Sequence, residues 1–137
     1  GTYPHADGVK TGTTDLAGEC LVATVNKGGH RALVVILGSR DRYADARALF
    51  DYYDAVYGWM PLQIPVTAAI RIRNQAGELR VMRLAIPYEL FLYRWQWEFV
   101  RPVFEVSLNG AGEPVGMVRF LLGPKLLTYL PLVATAP

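Results

Sequence analysis

"ECLVATVNKGGHRALVVILGSRDRYADARALFDYYDAVYG", from Glu19 to Gly58, decides the fold. Its first half holds two apolar runs, "ECLVATV" and "RALVVIL", separated by the turn "NKGG". Such runs, bounded by Gly and Asn, read as neighbouring strands, and short turns between neighbours favour antiparallel pairing. Its second half changes period. Ala46, Leu49, Phe50, Tyr53, Val56 and Tyr57 recur at helical spacing, with Asp41 as N-cap and Gly58 as stop. Two strands followed by one amphipathic helix predict a sheet with a helix packed on it.

Upstream, Val9, Thr11 and Thr13 alternate and predict a third strand antiparallel to these two. Downstream, "GWMPLQIP" brings two prolines close together and marks a boundary near Trp59 to Pro65. Beyond it lie "VTAAIRIR", "ELRVMRLAI", "YELFLYRWQWEFV", "PVFEVSL", "VGMVRFLL" and "LLTYLPLVA", punctuated by "NQAG", "NGAGEP" and "GPK". Short β-rich segments with that punctuation predict a small β-sandwich with no helix. The fold class is therefore α+β: residues 1–60 supply antiparallel strands and one helix, and residues 61–137 an all-β sandwich.

The 137 residues, 52% of them apolar, can bury a core, and a net charge of +2 with scattered Lys and Arg argues against nucleic acid as a partner. Cys20 is the only cysteine, which excludes an internal disulfide and a zinc-cysteine cluster. It reads as a small buried hydrophobe, His30 as a surface turn residue, and Trp95 with Trp97 as core. "RIRNQAGELR" reads as a charged hairpin face. No apolar run approaches the roughly 20 residues of a membrane span, and the chain opens in mid-pattern, with no leader before Gly1.

One stretch carries chemistry: "DGVKTGTT", Asp7 to Thr14. On a strand, Lys10 and Gly12 share one face and Thr11 takes the other. An ammonium on an edge strand can reach an anion or a hydroxyl, and a glycine admits a close backbone or substrate. A substrate lying along the edge would gain main-chain hydrogen bonds. Walker A is excluded, because Val9 rather than Gly precedes Lys10.

The run "ADGVKTGTTDLAGECLVATV" with "RALVVILGSRDRYADARALFDY" resembles the closing third of the catalytic domain of the serine D-alanyl-D-alanine carboxypeptidases. These are the low-molecular-mass penicillin-binding proteins of the S11 peptidase family. "GEPVGMVRFLLGPKLLTYLPLVA" is similar to the end of the β-rich C-terminal domain those enzymes carry. The resemblance implies a part of an enzyme that trims the terminal D-alanine from peptidoglycan stem peptides through an acyl-serine, binds β-lactams, uses no cofactor or metal, and works outside the cytoplasmic membrane. Lys10, Thr11 and Gly12 match the family's third active-site motif. By that match Lys10 tunes the site's field, Thr11 and Gly12 contact substrate, Thr13 gives a backbone oxyanion donor, and Arg42 helps bind the substrate carboxylate. Relatives more often carry His, Tyr or Phe at position 13, which favours a backbone role over a side-chain one.

The nucleophile is missing. The family acylates the Ser of an S-x-x-K motif, yet the chain's two serines, Ser39 and Ser107, open "SRDR" and "SLNG". Ser107-Leu108-Asn109 fits the second motif, Ser-x-Asn, in letters only, because it stands at a hairpin end in the β-rich half. The fragment alone is expected to be inactive, and the apolar face of residues 19–57 to be covered by the missing part of the catalytic domain or by an oligomer contact. The alternative is a non-enzymatic β-rich module or remnant that positions a partner near the cell wall.

Overall fold

The structure is a computed structural model that describes residues 3–64 and 69–137, with the backbone alone at Val9. The chain divides into two compact units, Gly1–Tyr57 and Gly58–Pro137. It is mostly antiparallel β with one main helix.

In the first unit, β1 (Ala6–Thr14), β2 (Gly18–Lys27) and β3 (His30–Ser39) form a sheet in that order. Both pairings are antiparallel, as the short turns dictate. Gly28 and Gly29 take positive φ, 60° and 83°, which lets the chain reverse within two residues. Helix α1 (Arg42–Val56) follows, and the Asp41 carboxylate caps it by accepting from the backbone N–H of Tyr43 at 3.1 Å and Ala44 at 2.9 Å. Leu21, Ala23 and Val25 of β2 alternate inward and meet Ile36, Ala46 and Phe50 in one core cluster. The apolar stripe of α1 is narrower than its sequence suggests, since only Ala46 and Phe50 are buried and Leu49 is exposed. Gly58 is not the helix stop. Tyr57 ends α1 in an extended conformation with its N–H bonded to Tyr53 O.

The opposite face of this sheet is apolar and open in the described structure. Leu33, Val35 and Leu37 alternate along β3 with 60%, 55% and 76% exposure. The residues beside them on β2 are Val22 and Thr24, paired with Val35 and Leu33.

In the second unit, β4 (Tyr57–Pro61) pairs with β7 (Glu89–Tyr93) as a two-stranded ribbon. A five-stranded sheet runs in the order β5 (Arg71–Arg73), β6 (Leu79–Leu84), β10 (Lys125–Thr135), β9 (Pro114–Leu122), β8 (Val100–Leu108). One core cluster joins Leu62 and Leu90 to Met82, Val118, Phe120, Leu130 and Leu132, with Met60 and Leu92 of the ribbon packed against it. The predicted strand "VTAAIRIR" begins within residues 65–68, outside the described residues, and β5 covers only its end.

Two readings of this half are corrected. Arg94–Phe99 is a short 3-10 helix where no helix was expected. Trp95 is 62% exposed and Trp97 half-buried, so the two are not a shared core face, because a 3-10 turn points residues two apart in different directions. Trp97 packs its ring where a Cβ on Gly58 would stand, 2.7 Å from its Cζ2.

Candidate active site wall on strand β1

The β1–β2 register sets the site. Thr11 lies opposite Leu21 and Thr13 opposite Glu19, which puts both threonines on the face that carries α1. Lys10 lies opposite Val22 and Gly12 opposite Cys20, on the other face. β1 pairs only with β2 among the described residues, so its second edge is open. Nothing stands within 4 Å of where a Cβ on Gly12 would be.

Arg42 is the first residue of α1, and its side chain turns back to β1 instead of entering solvent. Its Nη1 donates to Gly12 O at 3.0 Å, Thr13 Oγ1 at 3.0 Å and Cys20 O at 3.2 Å. The side chain is 16% exposed. Glu19 Oε2 accepts from the Arg42 backbone N–H at 3.2 Å and lies 3.6 Å from Nε. The structure therefore brings Gly12, Thr13 and Arg42 together with Glu19, a residue that sequence reasoning missed.

Lys10 is elsewhere. Its side chain is exposed and Nζ donates to Thr11 O at 2.6 Å. An exposed bond of this kind to a neighbouring carbonyl holds an ammonium weakly, so the four-carbon stem can redirect at small cost. Thr11 is exposed on the α1 face.

Ser39 is bonded into the start of the helix, and Ser107 is an exposed strand residue. Ser39 Oγ donates to Asp45 Oδ2 at 2.6 Å and accepts from Asp41 N–H at 2.9 Å, which makes it part of the start of α1. Ser107 sits in β8, and the neighbouring Asn109 side chain accepts from the N–H of Ala111 and Glu113 within a turn. Cys20 is half-buried on the face away from α1, with Sγ 3.7 Å from Ala17 O, so it is not the fully buried hydrophobe the sequence suggests. His30 opens β3 and is half-buried. Among the described residues no group of three His, Cys, Asp or Glu side chains is placed to hold a metal ion.

Residues 2–41 match the D-alanyl-D-alanine carboxypeptidase (S11 peptidase) family model. The D-alanyl-D-alanine carboxypeptidase DacF of Bacillus subtilis is 32% identical over 85 residues, which cover 60% of this chain and 22% of that protein. In this segment the chain is similar to the S11 D-alanyl-D-alanine carboxypeptidase family, and it matches a portion of a longer fold. Three crystal structures share that fold. The D-alanyl-D-alanine carboxypeptidase DacD of Francisella tularensis superposes with a TM-score of 0.54 at 24% identity, covering 98% of this chain and 36% of its own. Penicillin-binding protein 5 of Haemophilus influenzae gives 0.55 at 18% identity, covering 96% and 42%. Penicillin-binding protein 6B of Escherichia coli gives 0.55 at 21%, covering 93% and 34%. The chain thus spans 22% of the S11 relative's length and about a third to two fifths of the solved ones. No helix among the described residues is long and apolar enough to cross a membrane.

Proposed function

We propose that this chain is the C-terminal portion of a serine D-alanyl-D-alanine carboxypeptidase. Residues 1–60 would close its catalytic sheet, and residues 61–137 would form its β-sandwich domain. The observation that carries this is the Lys-Thr-Gly strand on an open sheet edge, braced by Arg42, inside the segment that matches the family.

The catalytic serine belongs to the part of the parent protein outside this sequence. In the complete enzyme its oxygen attacks the carbonyl carbon of the penultimate D-alanine. The terminal D-alanine leaves as the amine with a proton, and water then releases the acyl group from the serine. Lys10 raises the positive field around that serine, and the Thr13 N–H stabilises the oxyanion that develops. Thr11 and Gly12 line the groove in which the stem peptide lies along the β1 edge. Arg42 supports the end of the groove that receives the terminal carboxylate, with its charge close to Thr13 and only partly solvated. The open apolar face of β3 is covered by the remainder of the same catalytic domain, and the protein works outside the cytoplasmic membrane, on peptidoglycan.

The test is D-alanine release from a stem-peptide analogue ending in D-Ala-D-Ala by the full-length parent and by its Lys10→Ala variant. The expected result is release by the parent and a fall of at least about a hundredfold in kcat/KM on removing Lys10. An inactive parent, or a Lys10→Ala variant as active as the parent, would reject the assignment.

A further inference from the structure

We propose that Glu19 is a positioning residue that holds Arg42 onto the Gly12–Thr13 end of the site; the kinetic consequence, though not the contact, rests on the carboxypeptidase reading. A cation in the first turn of a helix stands at the positive end of the helix dipole, an unfavourable place. Arg42 is there nonetheless, directly after the N-cap Asp41. Its side chain is not left to solvent to relieve this.

Glu19 supplies the compensation. It stands on β2 opposite Thr13, so the register aims its carboxylate at the start of α1. Oε2 accepts from the Arg42 main-chain N–H at 3.2 Å, one of the donors a helix N-terminus leaves without an internal partner. The same oxygen is 3.6 Å from Nε, an atom that is buried and has no hydrogen bond of its own. One carboxylate therefore accepts a hydrogen bond from the main-chain end of the arginine and stands at ion-pair distance from its guanidinium end. The guanidinium is left with one orientation, in which Nη1 spans Cys20 O, Gly12 O and Thr13 Oγ1. Because the Thr13 hydroxyl accepts from a cation, its own proton is free to be donated elsewhere. Glu19 thus sets the direction of two groups at the site without reaching it.

Two arms test this. In this chain, the Arg42 Nε–Hε resonance and the amides of Gly12 and Thr13 are followed in Glu19→Ala and Glu19→Gln. Glu19→Ala should speed Hε exchange about tenfold and shift both amides. Glu19→Gln should speed Hε exchange while leaving the amides in place, because its amide oxygen still accepts from the Arg42 N–H. Unchanged Hε exchange in Glu19→Gln overturns the proposal, even if Glu19→Ala fails to fold. In the full-length enzyme, Glu19→Ala should raise KM for a D-Ala-D-Ala peptide about fivefold, the worth of one partly solvated charge-assisted bond, with kcat within about twofold. Loss of kcat at constant KM would instead mark a merely structural residue and overturn the positioning role. A wild-type parent with no carboxypeptidase activity would remove the functional reading, and the resonance arm would still decide the Glu19 contact.

Discussion

Phe50→Ala tests whether α1 is held to the sheet by the small core that the alternation of β2 implies. Phe50 is 2% exposed, and among the described residues its cluster has five other buried members, Leu21, Ala23, Val25, Ile36 and Ala46. Its ring also lies 5.2 Å, centroid to centroid, from that of Tyr3. Replacing a buried Phe by Ala costs about 3–5 kcal/mol, a transfer part plus a cavity part. A cavity of about 240 Å³ bounded by Tyr3, His5, Val25, Lys27, Phe50 and Asp54 already adjoins the ring. Solvent can therefore enter the space left behind, which relieves part of the cavity cost and sets the expected loss near 3 kcal/mol. That is a large fraction of the stability of a unit this size. Urea unfolding followed by hydrogen exchange at the β2 and β3 amides measures it. A loss below about 1 kcal/mol would mean that α1 is held by something other than this core, and the reasoning would fail.

Three further outcomes follow from other contacts. Asn74, 6% exposed, donates to Glu78 Oε2 at 3.0 Å and Glu113 Oε1 at 2.8 Å and accepts from the Glu78 N–H at 2.8 Å, so it latches the β5–β6 turn to the β8–β9 turn. Asn74→Ala should cost about 2–3 kcal/mol in chemical denaturation, and a neutral result would mean that water replaces all three bonds. Gly58→Ala should lose about 1–3 kcal/mol by thermal melting, since the new Cβ would meet Trp97 and must displace its ring. On the acid side, bonds from Thr24 and then Arg31 hold the Asp7 carboxyl below its usual range, and bonds from Asn74 and then Arg80 do the same for Glu78. A depressed folded pKa stabilises above the unfolded value, so both contributions are present at neutral pH and disappear as pH falls below about 4. On the alkaline side, burial and then the bond to Asp51 push Tyr3 up to about 12, so its contribution is full below about pH 10 and is lost between there and 12. Melting temperatures across both ranges, with Asp7→Asn, Glu78→Gln and Tyr3→Phe as controls, check the signs.

The first unit was legible because each local rule agreed with the next. Alternation in β2 named the face that α1 covers, Asp41 capped as its type predicts, and the open face of β3 followed from "ALVVIL", Ala32 to Leu37, being apolar at every position. The segment "YRWQWEF" misled because alternation of aromatic residues also suits a turn of 3-10 helix. One determinant is remote, since Trp97 needs the space over Gly58, and one is a local cap, in which Gln96 Oε1 accepts the Tyr93 N–H at 3.2 Å. The stop at Gly58 failed for the same reason, its missing side chain serving a neighbour and not a helix end. In the site, Lys10, Thr11 and Gly12 could be named from a motif, but Glu19 could not, since its partner is 23 positions away. One signal was available: counting the β1–β2 hairpin register back from "TDLAG" sets Glu19 beside Thr13.

On the proposed function, this chain supplies one wall of a serine active site whose nucleophile lies elsewhere in the parent. Labelling with a fluorescent penicillin, followed by intact-mass analysis and peptide mapping, tests it on the full-length parent and on this chain side by side. One acyl adduct is expected on the parent, at a serine outside these 137 residues, and none on the isolated chain. An adduct on Ser39 or Ser107, or a parent that takes up no penicillin, would contradict it.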